Sequence, residues 1–292
     1  MVEIPPHLHG HLTDSAGQPW AGRTFSDNPW QDDDGSAPES LLTALAAFHA
    51  GEAPSSAVID ALREVRLLVP LVAELGEAGT NEQGMTVDKS ADLSIVTVAG
   101  PDGRGIVPVF SSTAAMQRWD AQARPVPVDA RRAALATVEE QTDLLILDPG
   151  SDTEFVVRRP AVWAIAQGDP YLEPWRDQVV LDSATALLDV DPRIQGIDLR
   201  PGDPQARFAG PELEIVALIA DELDAPARQE LLASISKRIS SNAELVTRID
   251  SLALAIEQIA AGGGSTPGTT PGQPVDSGES TGRRGFWRRN RR

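Results

Sequence analysis

Four histidines are the first residues that could do chemistry. His7, His9 and His11 alternate, so an extended backbone would set all three on one side as part of a zinc or nickel site. No fourth ligand stands beside them, and a polar terminus explains them as well. His49 falls at the end of a predicted helix, where the negative end of the dipole suits it. A Ser-His-Asp triad has little to draw on, because residues 53–260 contain no histidine. A Ser-Lys pair could use only Lys89 or Lys237, one in a predicted loop and one on a predicted helix. The chain has 0 Cys, which removes disulfides, thiolate metal sites and thiol nucleophiles together.

Glycines and carboxylates are more numerous and less specific. The run Gly100–Gly105 resembles a phosphate cradle, but such a cradle opens a helix and here a strand is expected to follow, so a hairpin turn is the reading. Asp148-Pro149-Gly150 is likewise a turn after a strand, although ligands also bind at strand ends in α/β sheets. Asp32-Asp33-Asp34 lacks the spaced ligands of a calcium loop and reads as negative charge before a helix start. Paired acids such as Glu139-Glu140 follow from chance in a chain with 43 Asp and Glu. Arg158-Arg159 reads as a solvated pair before a helix.

Charge is more informative than any short motif. The 292 residues carry a net −18, which argues against wholesale binding of nucleic acid or anionic membrane. The last ten residues invert that: Arg283, Arg284, Arg288, Arg289, Arg291 and Arg292 surround Phe286 and Trp287. Against these six Arg, residues 262–282 set only Asp276 and Glu279, so this end carries +4. The 19 basic and 41 acidic residues elsewhere leave the body at −22. The tip has the composition of a contact to anionic membrane or RNA. Of residues 262–282, 17 of 21 are Gly, Pro, Ser or Thr, which predicts a flexible linker with no core of its own.

These groups need elements to position them. Ser36 and Glu39 have capping-box spacing ahead of a helix with Leu41, Leu42, Leu45 and Phe48 on one face, stopped by Gly51. A second helix from Pro54 leads into a strand at 67–72, and 76–92 reads as a loop. Strands follow at 93–98 and 106–110, with Pro108 marking the latter as an edge or bulge. Ser111 is expected to cap a helix through Trp119, and Asp129 another after the extended piece 125–128. Strands at 144–147 and 155–157 precede a helix across Val162–Ala166, and GDPYLEPW at 168–175 reads as a junction. Beyond it come a helix at 179–188, strands at 194–199 and 212–220, one long helix capped by Asp224 and running through Val246, and a strand at 252–256.

Three segments in that order resemble the SseB family, named for enhanced serine sensitivity, in its actinobacterial form. They are AVIDALREVRLLVPLV (57–72), GIVPVFSSTAAMQRW (105–119) and DLLILDPGSDTEFVVRRPAVWAI (143–165). The resemblance covers about 53–168 for the family's N-terminal domain and, more loosely, 176–260 for its C-terminal domain. It implies an α+β fold, a cytoplasmic protein without established enzymatic activity, and no catalytic residues to transfer.

The expected organisation is two small α/β domains with mixed sheets. A lead-in (1–52) with one helix precedes domains at 53–168 and 176–260, then a linker (261–282) and the Arg-rich tip (283–292). The opening MVEIPPHLHGHL lacks a basic start and an apolar stretch, so no signal peptide is expected, nor any transmembrane helix. The expected function is a non-enzymatic, cytoplasmic protein-interaction or regulatory module without cofactor or metal, at most peripheral at the membrane. Three alternatives stand beside it: a small-ligand binder, an enzyme using the strand end near Asp148, and a tether through the tip.

Overall fold

The computed structural model of the protein describes Trp30 and residues 32–71, 79–80, 86–87 and 96–259. His7, His9, His11, the linker and the Arg-rich tip lie outside the described residues. By contacts the chain divides after Asp34. The described stretch before that point is a turn in which Asp33 N–H donates to the Trp30 carbonyl at 3.2 Å. All elements below belong to the unit that starts at Gly35.

Helix α1 (Glu39–His49) buries Leu41 and Leu45. Its start corrects the capping-box expectation: Pro38 is the N-cap and no side chain caps the helix. Ser36 lies too far upstream, pinned by its carbonyl to the Arg66 guanidinium at 2.6 Å. The helix does stop at Gly51, whose φ of +75° lets its N–H turn back to the Phe48 carbonyl. Helix α2 (Ser55–Arg63) buries Val58, Ile59 and Leu62 at helical spacing and feeds β1 (Arg66–Leu71). Two short strands, β2 (Gly79–Thr80) and β3 (Thr86–Val87), pair antiparallel inside the segment expected to be a loop. Most of the strand expected at 93–98 is outside the described residues; its described end belongs to β4 (Val98–Ala99).

Strand β5 (Gly105–Val109) pairs antiparallel with β4. After it come α3 (Thr113–Trp119), β6 (Arg124–Asp129) and α4 (Ala130–Glu139). Then follow β7 (Leu145–Leu147), β8 (Phe155–Val157) and α5 (Arg159–Gln167). The main sheet has the order β4-β5-β7-β8, with β5 and β7 parallel. β1 and β6 form an antiparallel ribbon that meets this sheet through a bridge between Leu68 and Phe110. Pro108 is therefore interior, not on an edge. Val107 N–H donates to Leu144 and Val109 accepts from Asp148, so the proline nitrogen faces the other side. There β4 has already ended and the backbone bridge to β1 is at Phe110, so no ladder bond is lost.

Two further expectations about caps need correction. Ser112, not Ser111, caps α3, accepting from Ala115 N–H at 3.1 Å. The long helix is two: α7 (Ala225–Ser240), capped by Asp224, and α8 (Ala243–Arg248), capped by Asn242. Asn242 accepts from Leu245 N–H at 3.2 Å, offering the backbone a fresh helix start that breaks the first helix.

The second sheet has the order β11-β10-β9. β9 (Ile194–Pro201) runs antiparallel to β10 (Leu213–Ile219), and β11 (Leu252–Gln258) returns parallel to β10 after α7 and α8. α6 (Gln178–Thr185) precedes them, flanked by 3-10 turns at Pro174–Arg176 and Ala186–Asp189. Leu213, Ile215, Ala217 and Ile219 alternate on β10 and pack with Leu231, Ile235 and Ile239, spaced by four along α7. Each fully buried Leu or Ile contributes roughly 1.5–3 kcal/mol, more than a typical cap at roughly 1, so this face rather than Asp224 holds α7 down. The main sheet has its own cores, one joining β5, β7 and β8 to α1, α2, α4 and α5. The molecule is thus α+β, with an N-terminal lobe on the four-stranded sheet and a C-terminal lobe on the three-stranded one.

Candidate functional site

The strand end at Asp148 is a closed turn. Asp148 takes a φ of +46° and is 1% exposed. One carboxylate oxygen accepts from Ser111 N–H at 2.8 Å. The other accepts from Ser111 Oγ at 2.6 Å and from Thr153 Oγ1 at 2.8 Å. Arg66 in turn donates to the Ser111 carbonyl, fixing the backbone that presents Ser111. Burial pushes the Asp148 carboxyl up, with the Ser111 and Thr153 bonds opposing. Both oxygens are occupied and the Ser111 hydroxyl is spent on them.

A different set of charges converges where the lobes meet. The backbone between β9 and β10 reaches into the N-terminal lobe: Ala206 accepts from Val156 N–H at 2.7 Å, and Phe208 joins a core with Val98, Ile106, Leu144, Ile146 and Val156. Gly100 gives way to that ring, since a Cβ there would come within 2.9 Å of Phe208. Arg158 follows the last residue of β8 and is buried at 6% exposure, which corrects its reading as a solvated residue. Its guanidinium donates to Asp203 at 2.6 Å, the Gly210 carbonyl at 2.7 Å, Ser251 Oγ at 3.1 Å and Asp250 at 3.3 Å. Arg104 meets the same Asp250 through two bonds, at 2.7 and 2.9 Å. The two guanidinium carbons sit 5.3 and 5.0 Å from the Phe208 ring centre, close enough for cation–π attraction. Burial works against ionised Asp250, but Arg104 and Arg158 outweigh it and hold the carboxyl below its ordinary value.

Beside this seam lies a cavity of about 150 Å³. Phe48, Phe155, Tyr171 and Trp175 supply rings to its wall, and Arg158, Glu173, Asp203 and Glu212 supply charge. Pro54 and Pro204, also lining it, are exposed. Glu173 is fully buried, yet its neighbours outweigh the burial: Ser56 N–H at 2.6 Å and Ser55 Oγ at 3.1 Å donate to it at the start of α2, and its carboxyl lies below the usual range. Glu212 is the reverse case. Burial, with the Asp250 carboxylate nearby, pushes it up to about 7 although Asp250 N–H donates to it at 2.6 Å. Its other oxygen has one long partner, Tyr171 OH at 3.4 Å. Burial and the Glu212 charge in turn raise the Tyr171 phenol well above its ordinary value. A second hollow, of about 270 Å³, lies among α6, α7 and α8 with exposed Arg238 as its one charged side chain.

The other sequence-level candidates stay apart from this site or turn structural. Gly100–Arg104 is a hairpin turn, closed by Gly100 N–H to the Arg104 carbonyl at 2.7 Å with Gly103 at φ +86°. His49 ends α1 as expected, but burial and then Arg207 lower its pKa, so the dipole does not hold it charged. Among the described residues no group of His, Asp or Glu has metal-site geometry, and no helix is long and apolar enough to cross a membrane. Sequence reasoning missed Arg104, Glu173, Asp203, Glu212 and Asp250. Arg158 lies 45 positions from Asp203 and 92 from Asp250, so nothing local pairs them. The available signal was weaker: an arginine directly after the all-apolar strand Phe155–Val157 has to find acid partners if that strand is buried.

Residues 39–164 match the family model described as the SseB protein N-terminal domain. The match covers α1 through most of α5, including Asp148 and Arg158 but not Glu173, Asp203, Glu212 or Asp250. No curated protein and no solved structure gives a significant match.

Proposed function

The chain is a member of the SseB family through its N-terminal lobe, and from that premise we propose that it is a non-enzymatic regulatory module that binds a small ligand between its lobes and, through them, acts on a protein partner. The cavity beside the seam carries this reading: rings and convergent polar groups line it, the usual make-up of a ligand site. A ligand there would touch α1, β8 and α5 of one lobe and the β9–β10 connection of the other, so occupancy would bear on how the lobes are held. The strand end at Asp148 has less to offer a ligand, because its oxygens and Ser111 already satisfy one another. A non-enzymatic role is supported by the same economy of bonds: the guanidinium groups of the seam bind carboxylates rather than activating a nucleophile. A cytoplasmic location belongs to the same proposal.

Thermal denaturation of the full chain with neutral, anionic and cationic compounds of benzene-like size tests the site. At least one class should raise the midpoint, and Ala161→Leu, which fills the cavity from α5, should remove the rise while leaving the unliganded midpoint within a few degrees. No shift with any class would count against the cavity as the functional site.

The charge distribution favours a second role for the tip. Arg283, Arg284, Phe286, Trp287, Arg288, Arg289, Arg291 and Arg292 would attach an acidic body reversibly to anionic membrane, each Arg contributing on the order of 1 kcal/mol. RNA is the rival surface. The full chain should sediment with anionic but not neutral vesicles, less so at high salt, and removal of 283–292 should leave it in the supernatant.

A further inference from the structure

The cavity's chemistry narrows the ligand class, an inference that rests on the reading of this cavity as a binding site. Three carboxylates line it, Glu173, Asp203 and Glu212, against one guanidinium, Arg158. Arg158 is already committed. Its two terminal nitrogens hold Asp203, Gly210, Asp250 and Ser251, so an anionic ligand would have to break the seam to reach them. Glu173 is committed as well, to the first turn of α2 and to Arg176. Asp203 takes Arg158 and the Phe208 N–H on one oxygen and the Arg207 N–H on the other.

Glu212 differs. One oxygen takes the Asp250 N–H, and the other has only the long contact with Tyr171. That second oxygen is the least satisfied carboxylate oxygen in the wall, and four aromatic rings stand in the same wall. Phe48 and Phe155 meet edge to face at 5.3 Å, with Tyr171 and Trp175 completing the set. Ring faces attract organic cations, and a desolvated carboxylate next to them adds a full opposite charge. The volume suits a benzene-sized body.

We propose that the interlobe cavity takes a small organic monocation, an amine or ammonium group on an apolar body, with Glu212 receiving the charge and Phe48, Phe155, Tyr171 and Trp175 enclosing the body. The groups facing Glu212 are Tyr171 OH, the Asp250 N–H and carboxylate, and Arg158. Near neutral pH a share of Glu212 is protonated, and a cation selects the ionised form. Binding therefore releases protons and tightens as pH rises from 6 to 8.

Titration calorimetry on the full chain with three probes of matched shape, benzylammonium, benzyl alcohol and benzoate, decides the matter. Benzylammonium should bind about tenfold or more tighter than benzyl alcohol, and benzoate more weakly still. Its heat should vary with the ionisation enthalpy of the buffer, showing proton release. Glu212→Gln should cut benzylammonium affinity about tenfold and leave benzyl alcohol unchanged. Equal binding of the amine and the alcohol would overturn the cation assignment while leaving the cavity reading in place. Benzoate binding best would overturn it in favour of Arg158. No binding by any of the three, with a neutral or anionic compound from the wider panel raising the midpoint, would likewise reject the cation; silence across both experiments would reject the cavity itself.

Discussion

Asp148 and Glu212 are buried carboxylates in one molecule with opposite fates. Asp148 sits at 1% exposure with three donors, Thr153 Oγ1 from its own turn and the N–H and Oγ of Ser111 just beyond the end of β5. Glu212 sits at 5% exposure at the edge of a cavity, with one short bond, one long one and another carboxylate close by. Burial raises the pKa of both, so desolvation alone does not tell them apart. What separates them is the remaining capacity to accept: a filled carboxylate is a structural latch, whereas an under-filled one beside empty space is a place for a ligand. The interlobe seam shows the third option, burial in full ion pairs, where Arg104 and Arg158 hold Asp250 ionised.

The comparison breaks most readily at the seam. Arg158→Ala leaves Asp203 and Asp250 buried with one partner fewer, and the loss should be about 3–5 kcal/mol in denaturant unfolding. A cost under about 1 kcal/mol would show that water replaces the guanidinium and that the seam is not dry. Glu212 comes next, through pH. Its folded pKa of about 7 lies above the unfolded value near 4.5, so the native state binds the extra proton between those limits. Its contribution is complete below about 4.5 and is lost as pH rises to about 7, on the order of 3 kcal/mol in all. Glu212→Gln should flatten that fall, making the variant the more stable protein at pH 8. Parallel stability curves for the two proteins from pH 5 to 8 would refute the assignment. The smallest effect belongs to Asp148. Asp148→Asn keeps the size and tolerates φ > 0, but turns an acceptor into a donor facing Ser111 or Thr153, costing about 1–3 kcal/mol. Calorimetry should show its benzylammonium affinity unchanged, which sharpens the distinction between latch and site.

How much of this was readable beforehand follows the range of each interaction. Asp129, Asp224 and Gly51 were legible because a cap or stop acts within three residues of itself. Ser36 and Ser111 differ from expectation because a local pattern permits a cap and long-range partners decide whether it is used, whereas the helix through Val246 is broken by a local cap, Asn242, that its apolar spacing hides. Arg66 takes the Ser36 carbonyl and Asp148 takes Ser111, across 30 and 37 positions. Pro108 is interior because β5 lies between β4 and β7, and it is tolerated there because of where β4 ends and β1 bridges, which no property of GIVPV reveals.

The sequence by itself determined the types of most elements, the buried alternation of β10, the spacing-by-four face of α7, the absence of thiol chemistry and the segregation of charge between body and tip. These depend on composition and on periods of 2 and 3.6, which are written along the chain. Only the tertiary structure decided which charges are buried. Arg104, Arg158, Asp203, Asp250 and Glu212 come from four turns and strand ends separated by tens of residues, and each is an ordinary surface residue in its local context. Folding brings them together because the β9–β10 connection inserts Phe208 into the N-terminal lobe, and burial of that ring draws the surrounding charges out of water, where they must pair with one another or, like Glu212, remain short of a partner.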